Sequence, residues 1–143
     1  MILHFLKNPS FKSASVLISA ILEGRKYLDT RRNSLDQWAL LGRTLWSLAG
    51  IQSHKVVVSV YTNAKTSDFN DYISNYPQSD NFQIICQSVD LQQLSYPYLL
   101  TWAPREQMKL DIENGNELDL FLYLEHDIDF RSENLNYFVN YRK

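Results

Sequence analysis

Phe121-Leu-Tyr-Leu-Glu-His-Asp-Ile-Asp129 is an apolar run that ends abruptly in three carboxylates, Glu125, Asp127 and Asp129. From Leu118 to Leu124 nearly every residue is apolar or aromatic, without the alternation of a half-exposed strand. That pattern belongs to a strand covered on both faces, as at the centre of a parallel sheet. If the extended backbone continues, its two-residue period turns Glu125, Asp127 and Asp129 to one side and His126 and Ile128 to the other. Like charges brought together repel, so converging acids call for a cation: a divalent metal, an arginine or a lysine. Mg²⁺ and Mn²⁺ take carboxylate oxygens, usually one or two from protein, and complete their shell with water and phosphate oxygens. Ligands of open α/β sheets bind beyond the carboxyl ends of the strands, where these acids fall. Acids also end strands simply because the chain meets solvent, and Asp129 or Ser132 suits the cap of a following helix.

The preceding chain supplies the rest of a sheet. Lys55-Val-Val-Val-Ser-Val-Tyr61 is β-branched and apolar, a second strand. It runs into Thr62-Asn-Ala-Lys-Thr-Ser67 ahead of a helix over residues 68–75. A polar loop leading into a helix offers backbone N–H groups to an anion, although no glycine-rich fingerprint is present. Phe82-Gln-Ile-Ile-Cys-Gln87 reads as a third strand, followed by helical turns around Leu91 and Leu94. Pro104 suits the first turn of a helix that carries Met108 and Ile112 on its apolar side and stops at Gly115. Ser34-Leu-Asp-Gln37 is a capping-box pattern for another helix, with Leu35, Trp38, Leu41, Leu45 and Leu48 inward and Gly50 at a left-handed end. Trp38 and Trp46 read as packing aromatics. A last helix starts near Glu133, with Leu135, Phe138 and Val139 inward.

Between Ser13 and Leu28 the spacing of Val16, Leu17, Ala20, Ile21, Tyr27 and Leu28 predicts a helix interrupted near Gly24. Residues 1–50 thus read as a helical segment and residues 55–143 as an α/β part of one domain. Alternating strands and helices predict an α/β, Rossmann-like, mostly parallel sheet flanked by helices.

The 143 residues, 45% of them hydrophobic and 21% charged, suffice for one core. A formal net charge of −2 argues against a nucleic-acid protein held by phosphate attraction, so an anionic ligand must be met locally. Cys86, the single cysteine, allows neither an internal disulfide nor a thiolate zinc cluster and reads as a buried core residue. The apolar stretch Ser15 to Leu22 is far short of the ~20 residues that span a bilayer. Glu23, Gly24 and Arg25 follow it without a small-residue cleavage pattern. The expectation is a cytoplasmic protein. Arg25, Lys26, Arg31 and Arg32 form either a phosphate or peripheral membrane contact or a plain solvated linker face.

Tyr123-Leu-Glu-His-Asp-Ile128, after its apolar strand, resembles the Tyr-Leu-Glu-Asp-Asp-Ile form of the Asp-x-Asp motif of GT-A fold glycosyltransferases, the nucleotide-diphospho-sugar transferases. Leu100-Thr-Trp-Ala-Pro-Arg105 resembles a Leu-Thr-Trp-Ala-basic segment upstream of that motif in some of these enzymes. Residues 132–141 resemble the segment that follows it. The resemblance implies a nucleotide-sugar donor bound through Mn²⁺ or Mg²⁺. Asp127 would be the metal ligand, Glu125 a second or outer ligand and Asp129 an auxiliary acid. Tyr61, Thr62 and Asn63 would lie near the base. Arg105, at its helix start, either faces the diphosphate or is an exposed first-turn arginine. His126 stands where the family carries an acid that meets the ribose; a hydrogen bond to a hydroxyl and a simple surface histidine are both open.

A domain of this kind needs roughly 200 residues or more, with its acceptor pocket and catalytic base after the acidic motif. Only fourteen residues follow Asp129. The resemblance covers about Lys55 to Tyr141, so the expectation is an apparently truncated, GT-A-like donor-binding part. No catalytic base can be named, the acceptor is unknown, and a partner chain would complete the domain. Two rivals stand beside it. One is a non-catalytic remnant or interaction module with an open sheet edge. The other is a receiver-like Mg²⁺-binding module, although such modules also carry acids after the first strand and Val56 to Tyr61 ends without one.

Overall fold

In a computed structural model, which describes residues 13–23, 36–51, 55–94, 97–114, 120–131, 133, 134 and 137, the sheet is built around β1, Ser13–Ala20. β1 pairs in parallel with β2, Lys55–Thr62, on one side and with β4, Leu120–Glu125, on the other. β3, Phe82–Ser88, pairs in parallel with β2. The order β3-β2-β1-β4 gives a four-stranded, all-parallel, Rossmann-like α/β sheet. Its helices are α1, Gln37–Ala49, α2, Thr66–Ile73, and α3, Ala103–Glu113.

Each face of the sheet has its own core. Ala14, Val16, Ile18 and Ala20 of β1 join Val56, Val58 and Val60 of β2, Ile84 and Leu124 beneath α1 (Leu41, Leu45, Leu48) and α2 (Phe69, Ile73). A fully buried side chain of this kind contributes roughly 1.5–3 kcal/mol. On the other face Leu17 and Tyr61 meet Leu91 and Leu100, with Ala103 and Met108 of α3 against them. Aromatic rings join α1 to α2: Trp38 lies 4.9 Å from Tyr72, and Tyr72 lies 5.4 Å from Tyr76. The Tyr72 hydroxyl donates to the Trp38 carbonyl. Gly42 makes this possible, because a Cβ there would collide with both tyrosine hydroxyls.

The structure corrects several expectations. Residues 13–20 form a strand, not the first half of a helix. β1 is the centre of the sheet, whereas β4 has a neighbour on one side only among the described residues. Leu120, Phe121 and Leu122 of β4 are accordingly only half-buried, and Tyr123 is exposed. The cap of α1 is Asp36, whose carboxylate accepts the N–H groups of Trp38 and Ala39 at 3.0 and 3.3 Å, so Gln37 is the first helical residue. Gly50 ends α1 in the right-handed region, with φ −79° and ψ −7°. Trp46 packs 5.5 Å from Tyr76 yet is 56% exposed. The cluster Arg25, Lys26, Arg31 and Arg32, together with Ser34, Leu35, Gly115, Ser132, Leu135, Phe138 and Val139, lies outside the described residues. No helix among those described is long and apolar enough to cross a membrane.

Candidate functional site

Strand order reverses beside β1: the chain passes from β1 to β2 and β3 on one side, then to β4 on the other. Neighbouring connections diverge at such a point and leave a crevice beyond the strands' carboxyl ends. In register across this edge lie Tyr61 of β2, Ser19 of β1 and Glu125 of β4.

The segment before α3 reaches the same edge. Ser19 Oγ donates to the Leu100 carbonyl at 3.3 Å and accepts from the Tyr123 hydroxyl at 3.3 Å. One small serine thus joins Leu100-Thr-Trp-Ala-Pro-Arg105 to Tyr123-Leu-Glu-His-Asp-Ile128, the two stretches that sequence could only treat separately. Leu100 is fully buried, which anchors the turn Pro97–Trp102 and the N-terminus of α3 near β1. Arg105 is exposed, its guanidinium stacked 3.7 Å from the centroid of the Trp102 ring.

The acids do not fan out along an extended strand. β4 stops at Glu125, and the N–H of Ile128 donates back to the Glu125 carbonyl at 3.1 Å, closing a turn over 125–128. The expected alternation fails because α1 captures the segment. Thr44 Oγ1 lies 2.8 Å from the carbonyl oxygens of both His126 and Ile128, and Arg43 Nη2 donates to the Asp127 carbonyl at 3.4 Å. His126 is buried, with its Nε2 2.5 Å from Gln37 Oε1. His126 is therefore not a surface histidine.

The remaining acids differ in environment. Asp129 is paired with Arg131, at 2.8 Å between Nη2 and Oδ2. The Arg131 hydrogen bond and charge, with Arg43 and Ser47 of α1 beside it, hold the Asp129 carboxyl below its usual range. Glu125 is exposed and Asp127 half-buried. Among the described residues no three His, Cys, Asp or Glu side chains come together as a metal-binding group.

On the β2 side, Thr62 is fully buried and accepts the Ala64 N–H at 3.2 Å. Tyr61 is buried in the second core, where desolvation first and the Asp111 charge second push its phenol up. Asn63 clasps the chain leaving β1. Its Oδ1 accepts the N–H groups of Leu22 and Glu23 at 3.0 and 3.1 Å, and its Nδ2 donates to the Glu23 carbonyl at 2.6 Å. Of the residues picked from sequence, Glu125 ends β4 and Asp127 lies in the turn beyond it, Asp129 pairs with Arg131, Arg105 is exposed over Trp102, and Tyr61, Thr62 and His126 are buried with Asn63 half-buried.

Sequence reasoning missed Ser19, Gln37, Arg43 and Thr44. Thr44 had a readable signal, a polar residue on the apolar stripe of Leu41, Leu45 and Leu48. No family model matches the chain, and no curated protein matches it either.

Proposed function

We propose that this chain is the donor-binding part of a GT-A-like glycosyltransferase, holding the diphosphate of a nucleotide sugar at the carboxyl edge between β1 and β4. The observation that carries the reading is the Tyr123–Ser19–Leu100 hydrogen-bonded chain, which joins the two motif segments at the point where strand order reverses.

The donor set suits a hard divalent cation in kind and number. Mg²⁺ or Mn²⁺ needs only one or two protein carboxylates when phosphate and water fill its other positions, and Glu125 and Asp127 supply two. Asp129 is engaged by Arg131 and stands aside. When bound, the metal would neutralise charge on the departing diphosphate. The protein's own groups do the rest. Arg105 adds an exposed cation in the first turn of α3. Ser19 and Thr44 hold the strand end and its turn, and Asn63 fixes the chain after β1.

A second reading, a binding module without catalysis, is favoured by the burial of His126 and the Asp129–Arg131 pair, which reduce the polar groups available to the edge. Isothermal titration with a panel of nucleoside diphosphates tests the first. Binding is expected with Mn²⁺ or Mg²⁺ and not with chelator, with a loss of at least roughly tenfold in Asp127→Asn and a change under about threefold in Asp129→Asn. Metal-independent binding, or equal losses in both variants, would remove the assignment of Asp127.

A further inference from the structure

The turn that carries Glu125 and Asp127 is set by a residue on a different element. Thr44 is fully buried in the middle of α1. A helical threonine ordinarily returns its hydroxyl to the carbonyl four residues back, and here Leu40 is at 3.3 Å. The carbonyl oxygens of His126 and Ile128 are nearer, both at 2.8 Å. A hydroxyl has one proton, so the two carbonyls share it, and that sharing draws them to one point on α1. In extended backbone the carbonyls of residues i and i+2 point to the same side but lie roughly 6.5 Å apart, too far for both to reach one hydroxyl at 2.8 Å, so the chain here has left the extended conformation. The Ile128 N–H to Glu125 carbonyl bond closes the same turn from within.

We propose that Thr44 is the positioning residue of the acidic turn: its buried hydroxyl, shared between the His126 and Ile128 carbonyls, sets the direction in which Glu125 and Asp127 leave β4. The functional side of the proposal rests on the donor-site reading, and the positioning itself does not. Gln37, two turns back on Thr44's own face of α1, and Arg43, its neighbour in sequence, add the His126 ring contact and the Asp127 carbonyl contact.

Thr44→Val keeps the shape and removes the hydroxyl, Thr44→Ser keeps the hydroxyl, and Thr44→Ala provides a second hydroxyl-free chain should valine not be accommodated. Amide hydrogen exchange reads the turn without any ligand. The His126 and Ile128 amides, which donate to the Ser19 and Glu125 carbonyls, are expected to exchange roughly tenfold faster in the hydroxyl-free variants, with the Val58 amide of β2 little changed. In Thr44→Ser both should stay within about threefold of the parent. Metal-dependent nucleoside diphosphate affinity should fall with the hydroxyl and return with serine, a rescue that mere cavity formation would not produce. Unchanged exchange at His126 and Ile128 in Thr44→Val, or a serine variant as fast as the valine one, overturns the positioning role. Accelerated exchange with undiminished nucleotide binding keeps the positioning role and overturns its functional side. If the parent chain binds no nucleoside diphosphate, the donor reading fails, and the exchange rates alone decide the role of Thr44.

Discussion

The amide of His126 donates to the carbonyl of Ser19 at 3.3 Å, so the first residue past β4 is still tied to the central strand. This bond continues the β1–β4 ladder one step beyond the Ser19–Glu125 register pair. Beyond it the chain leaves the sheet for α1. Glu125 and Asp127 therefore stand on a turn fixed at one end by β1 and at the other by Thr44. Their side chains project from backbone held on two sides.

Ile18 tests the central place of β1. It is fully buried between the Val60 and Leu124 register partners. Ile18→Ala should destabilise the chain by about 2–5 kcal/mol, the usual cost of a cavity at a rigid core position. Urea unfolding measures this, and a change below about 1 kcal/mol would be inconsistent with a central strand.

Sequence revealed β2 and β3 by their β-branched runs, β4 by its unbroken apolar and aromatic run, and α3 by the proline in its first turn. It hid β1. Val16, Leu17, Ala20 and Ile21 fall at helical spacing, yet the same stretch also alternates, with Ala14, Val16, Ile18 and Ala20 on one face and Ser13, Ser15 and Ser19 on the other. A central parallel strand with serines on one side weakens the hydrophobic signal that separates the two periods. The small serine that hid the strand is also what admits the Tyr123 and Leu100 contacts. The apolar run of β4 suggested a strand covered on both faces, but its position in the sheet depends on pairing, which local pattern does not encode. The acids were legible as residues. Their arrangement was not, because it is imposed by Thr44 and Arg43, more than eighty positions away in the chain.

Tyr72 predicts a loss of stability in alkali. Burial first, then the hydrogen bond and charge of Tyr76, raise its phenol well above the ordinary value of 10.0. The folded chain keeps the proton that the unfolded chain releases near pH 10. Stability is thus whole below about pH 10 and falls as pH rises further. Tyr61 is shifted the same way, so Tyr72→Phe should flatten the decline without abolishing it. Near neutral pH the same substitution removes the bond to the Trp38 carbonyl and should cost about 0.5–1.5 kcal/mol. Urea midpoints from pH 8 to 11 provide both readings.

If the proposed donor site is right, Arg105 bears on ligand and not on fold. Its side chain is exposed over Trp102, and its stack there is of the kind worth about 0.5–1 kcal/mol at surface sites. Arg105→Ala should weaken nucleoside diphosphate binding several-fold while moving the melting temperature by only a few degrees. Arg105→Lys should recover part of the affinity, since lysine retains the charge but not the planar fork. Unchanged affinity in Arg105→Ala would leave this arginine a surface residue stacked on tryptophan.

The proposed donor site would bring a metal and a diphosphate to the strand ends between β1 and β4, and paramagnetic broadening of backbone amides by substoichiometric Mn²⁺ with a nucleoside diphosphate tests that most directly. The amides of Ser19, Glu125, Asp127 and Arg105 should broaden together, while Ile84 of β3 and Ile73 of α2 stay sharp. Broadening centred elsewhere, or none at Glu125 and Asp127 while nucleotide is bound, would contradict a donor site between β1 and β4.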